Sequence, residues 1–446
     1  MPLDFSLTQL GTILESNLLQ TVANDLDVSV GGITTDTRTI KDRELFIALV
    51  GEQFDGHNFV EQAVTKGAIA VIVNRQLESV AVPQFIVRDT LKAYQQIARW
   101  WRDRFEIPVV GITGSVGKTS TKETIAAVLG TQGRVLKTEA NFNNEIGVPK
   151  TLLQITPEHD YAVIEMAMRG SGEIALLTEI ARPTIGVITN VGTAHIGRLG
   201  SREAIAQAKC ELLAKMPHTS TAILNYDNSL LITTASQVWS GKTITYGLTG
   251  GDVRGEIGAE TIKTLGYSFP LPLPGKHNAS NYLAAVAVAK ELKIDLEPLV
   301  AGLQVELPQG RSRRYDLPDD IVILDETYNA GLESMLAAIE MLEQTPGKRH
   351  IAVLGTMKEL GEYSPQLHRQ VGEKARELNI DLLLVLADET ATQEIAVGAK
   401  GIDTECFSDR LTLTQRLKQV MQSGDRILCK ASNSVGLSKV VEELIE

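Results

Sequence analysis

A chain of 446 residues is longer than one hydrophobic core usually organises, so two or three domains are expected. Its 43% hydrophobic and 22% charged content is that of a folded soluble protein and argues against disorder. The net charge of -12 argues against a duplex-binding surface, because neutralising phosphates needs clustered Lys and Arg, although a single nucleotide is not excluded.

The opening MPLDFSLTQL has an early Asp and no basic segment before an apolar run, a poor signal peptide. The first block, to about Val87, mixes short apolar runs (ELFIALVG, AIAVIV) with turn-rich polar stretches and reads as a small α/β unit. A helix over LKAYQQIARWWRDRF leads into the second block. That block opens with a buried-type strand, Val109–Ile112, a glycine loop and a helix from about Lys118. The runs DYAVIEMAM, PTIGVITNVG and TAILNYD then alternate with helical stretches, the pattern of parallel strands with crossover helices. In the helix EAIAQAKCELLAKM, Ala204, Ile205, Ala208, Leu212 and Met216 form the buried face, and Lys209 falls at its edge, where a snorkelling lysine is expected. The helix NASNYLAAVAVAKEL closes the block.

A third block starts near LPQGRSRR, where DIVILDETY, HIAVLG, DLLLVLAD and DRILCKAS alternate with helical segments such as LESMLAAIEMLEQ. This is a second doubly wound sheet, with ligands expected at the carboxyl ends of its strands. The fold class is therefore α/β in three domains, 1–90, 91–309 and 310–446, with a P-loop parallel sheet in the centre and a Rossmann-like domain last. No stretch reaches the ~18 apolar residues of a membrane span. Cys210, Cys406 and Cys429 lack metal-ligand spacing and read as reduced thiols of a cytoplasmic protein.

The chemistry is carried first by GITGSVGKTS. Backbone amides of such a loop cradle phosphates, its lysine reaches the terminal ones, and Ser or Thr binds Mg²⁺. The nucleotide candidates are Thr113, Gly114, Ser115, Val116, Gly117, Lys118, Thr119 and Ser120, with Thr119 also the metal hydroxyl. Ile112 stands where the usual pattern has its first glycine. No Asn-Lys-x-Asp motif is present to read guanine. Glu165 and His195 each follow an apolar strand and together could form an oxygen-and-imidazole metal shell.

TGSVGKTS resembles the TG(S/T)xGKT loop of the Mur ligases and folylpolyglutamate synthases, which implies ATP-dependent amide-bond synthesis. EMAMRGSGEI and NVGTAHIGRLGS are similar to the Mur segments whose Glu and His bind magnesium, here Glu165 and His195. The match of Lys209 to the family's AK.E helix implies a carbamylated lysine as a further catalytic and metal-binding group, with Lys118 beside it and two Mg²⁺ in all. LPGKHNASNYLAA resembles the nucleotide-holding G(K/R)HN..N..AA segment, implying ATP contacts from His277, Asn278 and Asn281; Asn278 could also cap its helix. GRSRRYDLPDDIVILDETYNA resembles the GR…DD.YNANP stretch. It implies ATP contacts from Arg311, Asp325 and Asn329, with Tyr328 on the acceptor side. Glu326 replaces an Asp of that pattern, and Gly331-Leu332 its Asn-Pro.

TTDTRTIKDRELFIALVGEQFDGHNF resembles the first domain shared by third- and fourth-step Mur ligases, with Thr35, Asp36, Thr37 and Arg38 near a UDP-sugar substrate. ANFNNEIGVPKTLL, with Asn141, Asn143 and Asn144, and LGTMKELGE are similar to stretches of the fourth-step branch. The resemblance implies a monomeric bacterial enzyme joining D-alanyl-D-alanine to UDP-N-acetylmuramoyl-tripeptide through an acyl phosphate, the C-terminal domain binding the acceptor. In CKASNSVGL, Asn433 replaces a family arginine, which leaves Lys430 or another cation to hold the acceptor carboxylate. A third-step, lysine-adding ligase, a folylpolyglutamate synthase and a nucleotide-binding module without catalysis remain the alternatives.

Overall fold

The computed structural model describes residues 5–22 and 26–445, so the first four residues of the opening segment lie outside it. The chain forms two compact units. One comprises Met1–Val110, Gly133–Met166 and Leu176–Pro183; the other comprises Gly111–Gln132, Ala167–Ala175 and Thr184–Glu446.

The first unit holds a five-stranded sheet in the order Leu18–Val22, Gln84–Val87, Ala70–Val73, Glu44–Ile47, Gly32–Thr34. All its pairings are parallel except that of Leu18–Val22 with Gln84–Val87. Ala70–Val73 is buried at every position, as expected of a strand covered on both faces. Phe46, Val60, Ala63, Val71, Val73 and Ile86 pack together on one side. The expected helix runs Thr90–Arg102. Its Asp89 side chain accepts from Lys92 N at 3.0 Å, a cap worth about 1 kcal/mol. Ala93, Tyr94, Ile97, Ala98 and Trp101 recur at three- and four-residue spacing and are buried. Truncating Ile97 to Ala would cost about 2–5 kcal/mol.

In the second unit, Ile185–Ile188, Thr221–Asn225, Lys242–Gly247 and Val253–Arg254 pair in parallel, in chain order. The helix Lys118–Leu129 follows the phosphate loop and is buried almost all round, so it lacks a polar face despite its Ser and Thr content. A small antiparallel sheet, Glu256–Ile257, Thr261–Thr264 and Tyr267–Pro270, was not expected from the sequence. Its strands are short, and the two-residue turn, Leu265 at φ 51° and Gly266 at φ 86°, has one glycine rather than an Asn-Gly signature.

The C-terminal sheet is ordered Arg313–Leu317, Ile321–Asp325, Asp425–Lys430, Arg349–Gly355, Leu382–Leu386, Asp403–Phe407, antiparallel only at Arg313–Leu317. Ile323, Val353, Leu384, Ile427 and Cys429 form one side of its core with Leu413 and Leu417. The last strand inserts beside Ile321–Asp325, so the chain order switches there. Asp325 and Lys430 occupy the carboxyl ends at that switch, where doubly wound sheets bind ligands.

Candidate active site

The loop after Val109–Thr113 explains the missing first glycine. Ile112 is wholly buried inside the strand, and the turn begins only at Gly114. A β-carbon at Gly114 would lie 1.9 Å from Thr189 Oγ1, and one at Gly117 would lie 2.8 Å from Asn281 Oδ1, with φ already +82°. Both positions therefore demand glycine. The loop is tied down by Asn190: its Oδ1 accepts from Val116 N at 3.0 Å, and its Nδ2 donates to Val116 O at 3.1 Å. Thr189 Oγ1 donates to Val116 O at 2.6 Å, and Ser115 Oγ accepts from Gly192 N at 2.9 Å. Lys118 Nζ donates to Gly114 O at 2.7 Å, which keeps its ammonium over the loop. Thr119 and Ser120 open the helix behind it, and Thr113 Oγ1 is buried without a hydrogen-bond partner among the described residues.

Lys209 does not sit at a surface edge. It is 1% exposed on the helix Arg202–Lys215, which Ser201 caps by accepting from Ala204 N. The helix is buried on a broader face than its spacing suggested, including Ala206 and Cys210. No carboxylate pairs with Lys209 among the described residues. Desolvation pushes its pKa well below the ordinary lysine value, and the Lys118 cation pushes it the same way. His195 stands in the same field. Burial, Lys118 and Lys209 lower its pKa, while Glu359 opposes them. The structure thus gathers Lys118, His195 and Lys209 around the loop. Among the described residues no group of three or more His, Cys, Asp or Glu side chains could hold a metal ion.

A polar chain runs from the loop helix to the C-terminal sheet. Thr121 Oγ1 donates to Asn281 Oδ1 at 3.0 Å, and Asn281 Nδ2 to Asn278 Oδ1 at 3.3 Å. Asn278 Nδ2 donates to Pro274 O at 2.8 Å and reaches Ser312 Oγ at 3.4 Å, and Glu326 accepts from Ser312 N and Oγ. Asn278 is not the helix cap: Lys276–Glu291 starts after Gly275, and Asn278 lies inside the first turn. His277 titrates below its usual value because burial disfavours its charge. The Arg311 guanidinium stacks 4.0 Å from the centroid of the Tyr328 ring. Asp325 accepts from Thr327 N and Oγ1, and the exposed Asn329 accepts from Ala330 N. Lys430 is buried, and its ammonium donates to Asn329 O at 2.9 Å, with Glu326 Oε2 3.9 Å away.

In the first unit, Thr35 follows the strand Gly32–Thr34, and Arg38 grips Asp36 through two nitrogens. Those bonds hold the Asp36 pKa down to about 2. Thr37 Oγ1 donates to Gln62 at 2.9 Å. Asn143 Nδ2 donates to Glu165 Oε1 at 2.8 Å, at the end of the strand Tyr161–Glu165. Asn144 accepts from Ile146 N and Gly147 N and so shapes the next turn, while Asn141 is exposed. Sequence reasoning assigned no role to Thr189, Asn190, Glu333 or Glu359. Asn190 lies in the NVG stretch and Glu359 in LGTMKELGE, both read only as resemblances.

A phosphate loop backed by a desolvated lysine, on α/β units of this topology, matches known proteins along nearly its whole length. Residues 29–102 match the Mur ligase family catalytic domain, 112–289 the Mur ligase middle domain, and 310–433 the Mur ligase glutamate ligase domain. The chain belongs to the Mur ligase family. Within it, the UDP-N-acetylmuramoyl-tripeptide–D-alanyl-D-alanine ligase of Synechocystis sp. is 59% identical over 442 residues, 99% of this chain and 97% of that protein. The enzyme of the same name from Escherichia coli is 37% identical over 455 residues, 99% and 98% of the two chains. Among solved structures, MurF from Acinetobacter baumannii has a TM-score of 0.90 at 29% identity, covering 100% of this chain and 99% of that one. MurF ligase from Thermotoga maritima, in complex with ADP, has a TM-score of 0.83 at 29% identity, covering 93% and 96%.

Proposed function

We propose that this chain is an ATP-dependent ligase. It joins D-alanyl-D-alanine to UDP-N-acetylmuramoyl-tripeptide, yielding the pentapeptide precursor of peptidoglycan, ADP and phosphate. The observation that carries the reading is the gathering of Lys118, His195 and the buried Lys209 around a loop that only glycine can build. Like-named relatives at up to 59% identity support the substrate pair.

The loop amides and Lys118 hold the β- and γ-phosphates, and the dipole of Lys118–Leu129 adds positive potential at its start. The γ-phosphoryl passes to the terminal carboxylate of the tripeptide, and ADP leaves. The amine of D-alanyl-D-alanine then attacks the acyl carbon, loses a proton and expels phosphate. Lys118 stabilises charge that develops on the transferring group.

Thr119, Glu165, His195 and Lys209 would hold two Mg²⁺. The donor chemistry fits: the depressed pKa of His195 leaves a neutral imidazole, and a desolvated, unpaired Lys209 amine can take up CO₂ and present carbamate oxygens. Bound there, magnesium would supply charge neutralisation for phosphoryl transfer. His277, Asn278, Asn281, Arg311, Asp325 and Asn329 serve the nucleotide in this reading, and Thr35–Arg38, Asn141, Asn143 and Asn144 the UDP-sugar peptide. Tyr328 lies on the acceptor side, where Lys430 acts by fixing the turn at Asn329. We divide the chain at residues 90 and 309; the matched segment that begins at residue 310 supports the second boundary, while the one over 29–102 runs past the first. We place the enzyme in the bacterial cytoplasm as a monomer. No helix of the described residues is long and apolar enough to cross a membrane, and all three cysteines are free.

The test is a matrix of UDP-muramoyl peptides against amine acceptors, read by phosphate release. Tripeptide with D-alanyl-D-alanine should be the productive pair. Turnover on the dipeptide with lysine instead would assign the chain to the third step.

A further inference from the structure

We propose that Glu359 is a positioning residue for His195, its carboxylate deciding which imidazole nitrogen carries the proton. This rests on the ligase reading, in which His195 serves the phosphate-transfer centre. His195 Nδ1 lies 2.6 Å from Glu359 Oε2. An ionised carboxylate only accepts, so Nδ1 must be the donor, and in the neutral imidazole Nε2 is left with the lone pair. An imidazole without this partner would exchange between two tautomers, only one of which leaves Nε2 able to accept or ligate.

The pair comes from distant parts of the chain and is held from several sides. Glu359 Oε1 accepts from Arg198 at 3.2 Å, and Glu359 O accepts from Gly197 N at 3.2 Å. Tyr363 Oη donates to Gly200 O at 2.8 Å. At the other end of the same loop, Glu333 accepts from Thr193 N at 2.8 Å and Thr193 Oγ1 at 3.1 Å. The segments meet glycine to glycine: a β-carbon on Gly197 would lie 2.5 Å from Gly361 N, and one on Gly361 would lie 2.9 Å from Gly197 Cα. His195 and Glu359 both adopt left-handed backbone, at φ 65° and 64°. Non-glycine residues hold that conformation only where their surroundings enforce it, and such strain clusters where a side chain must be aimed.

Glu333, Tyr363 and the backbone contacts would still dock the loop if the Glu359 carboxylate were removed. Besides its bond from the exposed Arg198, what the carboxylate supplies is the tautomer. The experiment therefore uses Glu359→Ala and Glu359→Gln in the full chain, with His195→Gln to assign the ¹⁵N-histidine spectrum. In the substrate-free wild type, His195 should show the Nδ1–H tautomer alone. Glu359→Ala should show mixed tautomers, lose about 10–100-fold in kcat and keep KM for the UDP-peptide within about 3-fold, with thermal unfolding unchanged. Glu359→Gln, whose amide oxygen can still accept from Nδ1–H, should restore most of both readouts. A single Nδ1–H tautomer in Glu359→Ala, an unaltered kcat there, or a Gln variant as poor as Ala would overturn the assignment. The nitrogen spectrum needs no turnover, so its outcome stands apart from whether the ligase reading holds.

Discussion

The Gly114 α-carbon backs so closely onto Thr189 that an added β-carbon would fall 1.9 Å from its Oγ1. That hydroxyl is not free to swing away, because it donates to Val116 O at 2.6 Å. Gly114→Ala must therefore break the tie between the loop and the strand end, and about 100-fold or more of the ligation rate should be lost with it. Pairing Gly114→Ala with Thr189→Ala, which removes the clashing oxygen, should recover part of the rate. No recovery in the double variant would mean that the loop fails for another reason.

Lys118 holds its ammonium over the loop through Gly114 O. Lys118→Ala should cost ~10²-fold or more in turnover with little change in thermal unfolding, since a positioned cation is removed from phosphoryl transfer. Steady-state kinetics and calorimetry on one preparation check both halves. Wild-type turnover in the variant would remove the loop from the chemistry.

Lys209 is enclosed beside Lys118 with its ammonium form disfavoured. Lys209→Met, which keeps most of the buried volume, should fold normally and lose most activity. Lys209→Ala should also lose activity, and acetate at high concentration should restore part of it by standing in for a carbamate. Rescue by a small amine and not by acetate would show the ammonium to be the working form.

Asp36 carries the pH prediction. Its folded pKa of about 2 lies below the ordinary ~3.9, so its contribution to stability is fully present above ~3.9 and is lost as pH falls towards 2. Arg38→Ala removes the largest cause, and the Asp36 carboxyl should then titrate nearer the ordinary value in a carbon-detected NMR titration. An unmoved midpoint would assign the shift to the backbone N–H alone.

Much of the architecture was legible because its signals are local. The run ending at Asp325 is a continuous apolar strand bounded by turns, and Leu332–Gln344 follows its own 3.6-residue period. Lys209 was placed on the right helix but on the wrong environment, since periodicity within one helix cannot tell how many neighbours cover it. The Glu359–His195 contact was beyond reach for the same reason. It joins residues 164 positions apart through a loop whose shape depends on Gly197 and Gly361 packing together. Asn278, which could also have capped its helix, does not: it lies inside the first turn after the cap Gly275 and bonds instead to Pro274 O and the Asn281 network.

The most direct measurement incubates the enzyme with ATP, UDP-N-acetylmuramoyl-tripeptide and D-alanyl-D-alanine and follows nucleotide and peptide by mass spectrometry. The expected result is one UDP-linked pentapeptide formed per ADP and per phosphate, with no AMP. ATP consumed at the same rate without the UDP-peptide and with no new amide, or AMP appearing in step with product, would contradict acyl-phosphate ligation by this chain.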